Sequence, residues 1–249
     1  MNDLIEYTLH LADNALVLGH RNSEWTGHGP ILEQDIAISN IALDLVGQAR
    51  NFYQYAAGMI GNEATEDSLA YLRNPGDFRN CLLVEQGKGD WGKTITRQFF
   101  FSAFQFLLFE HMRGSSDSTI AAIAEKSLKE VTYHLRWSSE WVVRLGDGTD
   151  ESNRRMKIAI GELWDYTPEL FIAAPYESAC TNKAIAPDVS SLEEAWLERI
   201  RSVFAEALLV IPEHGATISG GKIGAHSAQL EFMLGEMQYL QREYPGNQW

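Results

Sequence analysis

Cysteine is scarce in this chain. Cys81 and Cys180 are the only two, far apart and in no metal or redox spacing. That excludes a disulfide framework, suits a reducing compartment, and makes both candidates for small semi-buried apolar residues. Basic charge is scarce as well. Lys and Arg total 20 against 34 Asp and Glu, a net charge of −14, so no basic footprint for nucleic acid exists. An anionic ligand would need a local cluster of cations against this background, and the acidic excess favours solubility and basic partners. Long apolar runs are missing. The most apolar stretch, Phe99 to Met112, is interrupted by Gln105, Glu110 and His111. It is shorter than the ~20 residues a bilayer requires, so a buried core helix is expected and no membrane partner. The opening MNDLIEYTLH has acids where a leader has a basic and then an apolar region, so no signal peptide and a cytoplasmic location are expected. No Gly-x-Ser-x-Gly elbow and no evident nucleophilic Cys–His pairing is present, and no segment reads better as a strand than as a helix.

What remains is a chain of long helical patterns. With 249 residues, 45% of them hydrophobic, it can bury one large core. Leu4, Tyr7, Leu11 and Leu18 fall at helical spacing over residues 3–20. Pro30 suits the first turn of a second helix, 31–60, which Gly61-Asn62 ends. Residues 64–84 are mixed, with a break at Asn74-Pro75-Gly76. Further helices are predicted over 91–112, 118–145, 150–173 (kinked at Pro168), 191–210 and 226–243, with loops at 174–190 and 213–225. No linker or repeat appears. The expected architecture is a single all-α domain, a four-helix bundle with extra helices at its end. Seven Trp and eleven Phe supply core area, with some left for a protein interface.

Two helices approach the motif Glu-x-x-His and miss it. In a di-iron bundle such a carboxylate and imidazole, three apart, project to one metal, and two such helices are needed. In IALDLVGQARNFYQ, Asp44 has Gly47 three residues on and Gln48 four on; in LKEVTYHLRWSSEW, His134 has Val131 three back and Glu130 four back. Asn40, Asp44, Gly47 and Asn51 stack on one helical face, either an altered metal pocket or a solvent face, and the solvent face is the commoner case. Gln98, Ser102 and Gln105 stack inside the apolar third helix, where buried amides need partners. A small polar cluster among the second, third and fourth helices would satisfy them, but amides and a hydroxyl are poor substitutes for iron-binding carboxylates. Glu130 and His134 can meet as an i, i+4 pair, most simply a structural one. Glu6, His10 and Asp13 share one face of the first helix and are open to ligation or to solvent. The order Gly-Ala-Thr-Ile-Ser-Gly-Gly-Lys-Ile from Gly215 is not a phosphate loop: an extra Gly precedes Lys222, Ile223 follows it, and a helix precedes the whole. Its glycines point to unusual backbone angles; Lys222 and His226 remain open to an anion at the next helix N-terminus.

The stretches GHGPILEQDIAISNIALDLVGQARNFYQYAA, LLVEQ, TITRQFF, KEVTYHLRWSSEWVVRLGDGT and SGGKIGAHSAQLEFMLGEMQYLQREYPGNQW carry a resemblance. They span nearly the whole chain, which closely resembles the structural, non-catalytic subunits of bacterial phenylacetyl-CoA epoxidases (ring-1,2-phenylacetyl-CoA monooxygenases). The resemblance implies a ferritin-like fold and a place in aerobic phenylacetate degradation. It implies no cofactor in this chain, with the di-iron centre and the phenylacetyl-CoA site in a homologous catalytic subunit. Partners would be that oxygenase subunit and other members of the complex, including the reductase that delivers NADPH-derived electrons. On that reading Asp44, Glu130 and His134 are vestigial metal candidates. Two alternatives stay open: a self-sufficient metal oxidase with ligands drawn from Glu6, His10, Asp13, Asp44, Glu110, Glu130 and His134, and a role for Lys222 in holding the CoA phosphates at a subunit interface.

Overall fold

The computed structural model describes residues 2–213 and 215–247. Met1, His214 within the glycine-rich loop, and Gln248 and Trp249 at the end of the last matched stretch lie outside the described residues. Eleven α-helices and no strand occur among the described residues: α1 Asp3–Ser23, α2 Leu32–Ile60, α3 Glu66–Tyr71, α4 Leu82–Glu85, α5 Trp91–Met112, α6 Ser118–Gly146, α7 Asp150–Leu163, α8 Pro175–Thr181, α9 Glu193–Glu206, α10 Ala228–Met237 and α11 Tyr239–Glu243.

The four long helices, α1, α2, α5 and α6, form the bundle, and paired contacts fix their directions. Tyr7 meets Met112 and Asn22 meets Gln98, so α1 runs antiparallel to α5. Gln48 meets Gln105 and the rings of Phe52 and Phe109 lie 6.2 Å apart, so α2 runs parallel to α5. Asp44 meets His134 and Gln34 meets Trp141, so α2 runs antiparallel to α6. Parallel α2 and α5 require the long crossover 61–90, the connection that marks ferritin-like bundles. The buried residues form one continuous cluster in which Phe52, Phe99, Phe100, Phe104 and Phe109 are at most 2% exposed. Each such side chain contributes roughly 1.5–3 kcal/mol of burial energy. Trp91 packs edge-on against Trp25, Trp137 and Trp141, and Gln34 Oε1 accepts from the indoles of Trp137 and Trp141. On the outer side of the α5–α6 pair, Trp196 of α9 donates to the Phe100 carbonyl at 3.0 Å.

The boundaries follow local chemistry. Asp90 and Asp117 cap α5 and α6 through Lys93 N and through Thr119 N and Ile120 N. Several expected boundaries move. Pro30 lies just outside α2, whose entry is tied by Asp35 accepting from Gly29 N at 2.9 Å. The predicted helix 150–173 stops at Leu163 and continues as two 3₁₀ turns, 164–166 and 168–171. The physical reason is Pro168, whose ring would clash with the carbonyl of residue 164 in an α-helix. The last helix breaks at Gln238, whose side-chain amide donates instead to Ala70 O and Arg73 O, pinning α10 and α11 to the crossover. The expected loop 174–190 contains α8, with Pro175 at its first turn and the Glu177 carboxylate accepting from Ala174 N. No described helix is long and apolar enough to cross a membrane.

Candidate functional site

Burial sets the frame of the bundle centre. On α2, Ile41, Leu45, Gln48 and Phe52 point inward, whereas Asn40 and Gly47 are exposed and Asp44 and Asn51 are half-buried. On α6, Ser127, Val131, His134 and Ser138 point inward. The inward pairs three residues apart are therefore Leu45/Gln48 and Val131/His134, the places where a di-iron bundle holds Glu and His. This corrects the Asp44/Gly47 register: one residue is ~100° of helix rotation, enough to turn Asp44 toward the rim and Gly47 to solvent. The stripe Asn40–Asp44–Gly47–Asn51 is mainly the solvent face.

Every bundle helix contributes to a polar seam. Gln105 Nε2 donates to Gln48 Oε1 at 3.0 Å, and Gln48 Nε2 donates to Glu130 Oε2 at 2.9 Å. Asn22 Nδ2 donates to Gln98 Oε1 at 2.7 Å, and Gln98 Nε2 to Ser102 Oγ at 2.8 Å. His134 Nε2 pairs with Asp44 Oδ2 at 3.0 Å, the imidazole buried and the carboxylate 38% exposed. The expected cluster among α2, α5 and α6 thus forms through Gln105, although Gln98 bonds Asn22 of α1 and Ser102 bonds Gln98. Glu130 and His134 lie on one face of α6 but bond to different residues of α2 and not to each other, because α2 offers each its own partner. Four buried atoms of this seam, Asn22 Oδ1, Gln105 Oε1, Ser127 Oγ and His134 Nδ1, have no hydrogen-bond partner among the described residues.

This donor set does not fit a di-iron centre. Such a centre takes about six protein ligands, four of them carboxylates. The seam offers Glu130, Asp44 at its rim and one imidazole; the rest are amides and hydroxyls, and Leu45 and Val131 stand at two acid positions. Among the described residues no three of His, Cys, Asp and Glu group to hold a metal ion.

The remaining ligand candidates belong to a second polar region, on the flank where the crossover runs along α1. Asp13 is fully buried; it pairs with Arg73 and accepts from Tyr53 Oη and Arg79 N. Burial opposes the Arg73 charge, but Asp13 and Tyr53 outweigh it and raise its pKa; burial, with Asp13 beside it, pushes the Tyr53 hydroxyl far up. Glu6 pairs with Arg79 at 2.7 Å. His10 Nδ1 bonds the Arg79 carbonyl at 2.7 Å and its Nε2 lies 3.6 Å from Glu177; burial lowers its pKa despite that acid. Glu110 is exposed at the end of α5. The seven candidate ligands are therefore split between centre, flank and surface.

Lys222 is only 4% exposed. Its Nζ donates to Leu170 O, Ile172 O and the Glu177 carboxylate, the last at 3.0 Å. An ammonium so committed has no donor left for a phosphate, so the expected CoA contact finds no support in this placement. Burial raises the Glu177 carboxyl, but Lys222, His10 and the Ala174 N–H together hold it below its usual range. Both cysteines are buried and free; burial drives the Cys180 thiol up to about 11 and Cys81 higher still, which makes them inert.

Sequence reasoning passed over Asn22, Gln48, Glu85, Glu169 and Glu177 as members of these networks. Gln48 had a usable signal, its place four residues after Asp44 and three after Leu45. The three acids had none, because their partners are remote: Glu85 binds His226, and Glu169 binds the backbone of Leu82 and Gly220.

The chain matches the family described as phenylacetic acid catabolic protein over residues 1–249. It is 49% identical over 249 residues, the full length of both chains, to one of the subunits of the 1,2-phenylacetyl-CoA epoxidase of Escherichia coli (strain K12). The chain belongs to the phenylacetic acid catabolic protein family.

Proposed function

We propose that this family member is a structural subunit of a phenylacetyl-CoA epoxidase, binding and supporting a homologous di-iron catalytic subunit without holding metal itself. The observation that carries the reading is the donor set of the bundle centre, with Leu45/Gln48 and Val131/His134 in the inward positions. A bundle released from placing ligands keeps its packing and serves as a surface. One surface suits that role. Ile31, Leu32, Ile36, Leu43 and Val46 stand exposed along the outer side of α2, Leu32 by 72% and Leu43 by 70%. Exposed large apolar side chains grouped on one helix are what permanent subunit interfaces cover. That the relative is itself one part of a multi-subunit epoxidase supports the same assignment.

The experiment is co-purification with the catalytic subunit followed by iron analysis of each chain. The expected result is a tight complex with iron in the partner alone and no oxygenase activity from this chain by itself. Two irons per chain here, or no association, overturns the reading. Nothing in the geometry favours a self-sufficient oxidase, since its candidate ligands are dispersed between centre, flank and surface, and all but the exposed Glu110 are already paired. Lys222→Ala is expected to leave the CoA-thioester affinity of the assembled complex unchanged.

A further inference from the structure

The glycine-rich segment is the one sequence motif the proposed function does not use, and three buried acids hold it. Glu169 accepts from Gly220 N at 2.8 Å, Glu177 takes the Lys222 ammonium, and Glu85 takes both His226 and Ser227 N. Its glycines explain the close fit. A Cβ on Gly221 would collide with the Asn80 carbonyl, and one on Gly224, where φ is +88°, with the Gly76 carbonyl. Residues 219–227 are thus a strap laid directly on the backbone of the crossover, joining it to α10.

We infer that His226 fastens this strap as an imidazolium, and that removing its proton under alkaline conditions releases the strap from the crossover. The hydrogen-bond directions carry the argument. His226 Nδ1 lies 2.7 Å from Glu85 Oε2 and Nε2 lies 3.0 Å from the Phe78 carbonyl. A carbonyl can only accept. Both oxygens of Glu85 are engaged as acceptors too, since Ser227 N donates to Oε1 at 2.7 Å and Asn80 Nδ2 to Oε2 at 2.9 Å. A ring facing acceptors on both sides donates from both nitrogens, which only the protonated form can do. The neutral ring would set one nitrogen lone pair against an oxygen lone pair inside a nearly closed site, where the His226 side chain is 4% and that of Glu85 0% exposed.

The charges around the ring come from four elements. From the crossover, Glu85 attracts it and Arg79, whose Nη1 shares the Phe78 carbonyl at 2.9 Å, opposes it. From α1, Asp13 favours the charge, and Arg21 bonds the Glu85 backbone carbonyl at 2.9 Å. The strap adds Lys222, already paired with Glu177, and the 168–171 turn adds Glu169. Burial opposes the imidazolium, but Glu85, the Phe78 carbonyl and Asp13 outweigh it and raise the pKa. A raised folded-state value means the latch is at full strength below the ordinary imidazole pKa of about 6.5, and is lost as pH rises through the folded value.

Two measurements on the full chain test this. Nitrogen-15 NMR of the His226 ring at pH 7 is expected to show both nitrogens protonated. Amide exchange protection at Gly220 and Ser227, corrected for intrinsic rates, is expected to fall on the order of tenfold between pH 6 and pH 9 while α5 amides hold theirs. In His226→Gln the strap protection becomes independent of pH over that range. A ring with one bare nitrogen at pH 7, or wild-type strap protection equal at both pH values, overturns the inference.

Discussion

The bundle centre and the α1 flank are both buried and both polar, yet they are built from different chemistry. At the centre, where a metal bundle concentrates acids, the chain places Asn22, Gln48, Gln98, Gln105 and Ser102 beside Glu130, and the Asp44–His134 pair sits at the rim. On the flank it buries Asp13, Glu85, Glu169 and Glu177 against Arg73, His226, backbone amides and Lys222. The chain is therefore not poor in buried carboxylates. It uses them to fasten the crossover and the strap, where each has a cation or several N–H donors. The amides at the centre each find at least one partner, Gln48 donating to the Glu130 carboxylate. The lesson is that a count of buried acids says little about metal binding unless their place in the bundle is known.

The sharpest way to break this contrast is at Asp13. Asp13→Ala leaves Arg73 buried without its acid and should cost about 3–5 kcal/mol by urea denaturation. A loss under 1 kcal/mol would mean the flank is not what holds the crossover. Next comes Lys222→Ala, expected to cost about 3 kcal/mol at neutral pH because Glu177 stays buried without its ammonium partner. That cost should shrink in acid. The Glu177 carboxyl is lowered in the fold, so its contribution is present above the ordinary carboxylate pKa and disappears as pH falls through the folded value. Thermal melts of wild type and variant from pH 7 to pH 3 should therefore converge.

Gln48→Leu tests the centre. It strips Gln105 and Glu130 of a partner and should cost about 1–3 kcal/mol, less than either flank variant, with no change in metal content. A cost equal to that of Asp13→Ala would erase the distinction between the two regions. The smallest effect on stability is expected at the surface. Leu43→Glu should change the unfolding free energy by less than about 0.5 kcal/mol, yet weaken capture of the catalytic subunit in a pull-down. Unaltered capture would remove α2 as the docking ridge.

Much of this was legible in the chain itself. Helical spacing located the four long helices, Gly61 marked the end of α2, and the interrupted Glu-x-x-His pattern drew attention to α2 and α6, which meet through Gln48–Glu130 and Asp44–His134. Local competition blurred the rest. Gln238 breaks the last helix because its side chain finds carbonyls on the crossover, a partner no local pattern announces. On α2 the interrupted motif put Asp44 in the acid position, but helix phase is set by the whole apolar face. Ile41, Leu45 and Phe52 rotate Gln48 inward and leave Asp44 to reach His134 from the edge.

By itself the sequence determined the all-α class, the long helices, and the lack of an acid at position 131, three residues before His134. Those properties are local: they depend on residue type and on periods of three and four along one helix. Tertiary structure alone decided that Lys222 is an internal cation, that His226 faces acceptors on both sides, and that Asp13 is a structural acid. Each depends on groups brought together from distant parts of the chain. The charge state and availability of a buried side chain are set by whatever packs against it, which no spacing along a single helix encodes.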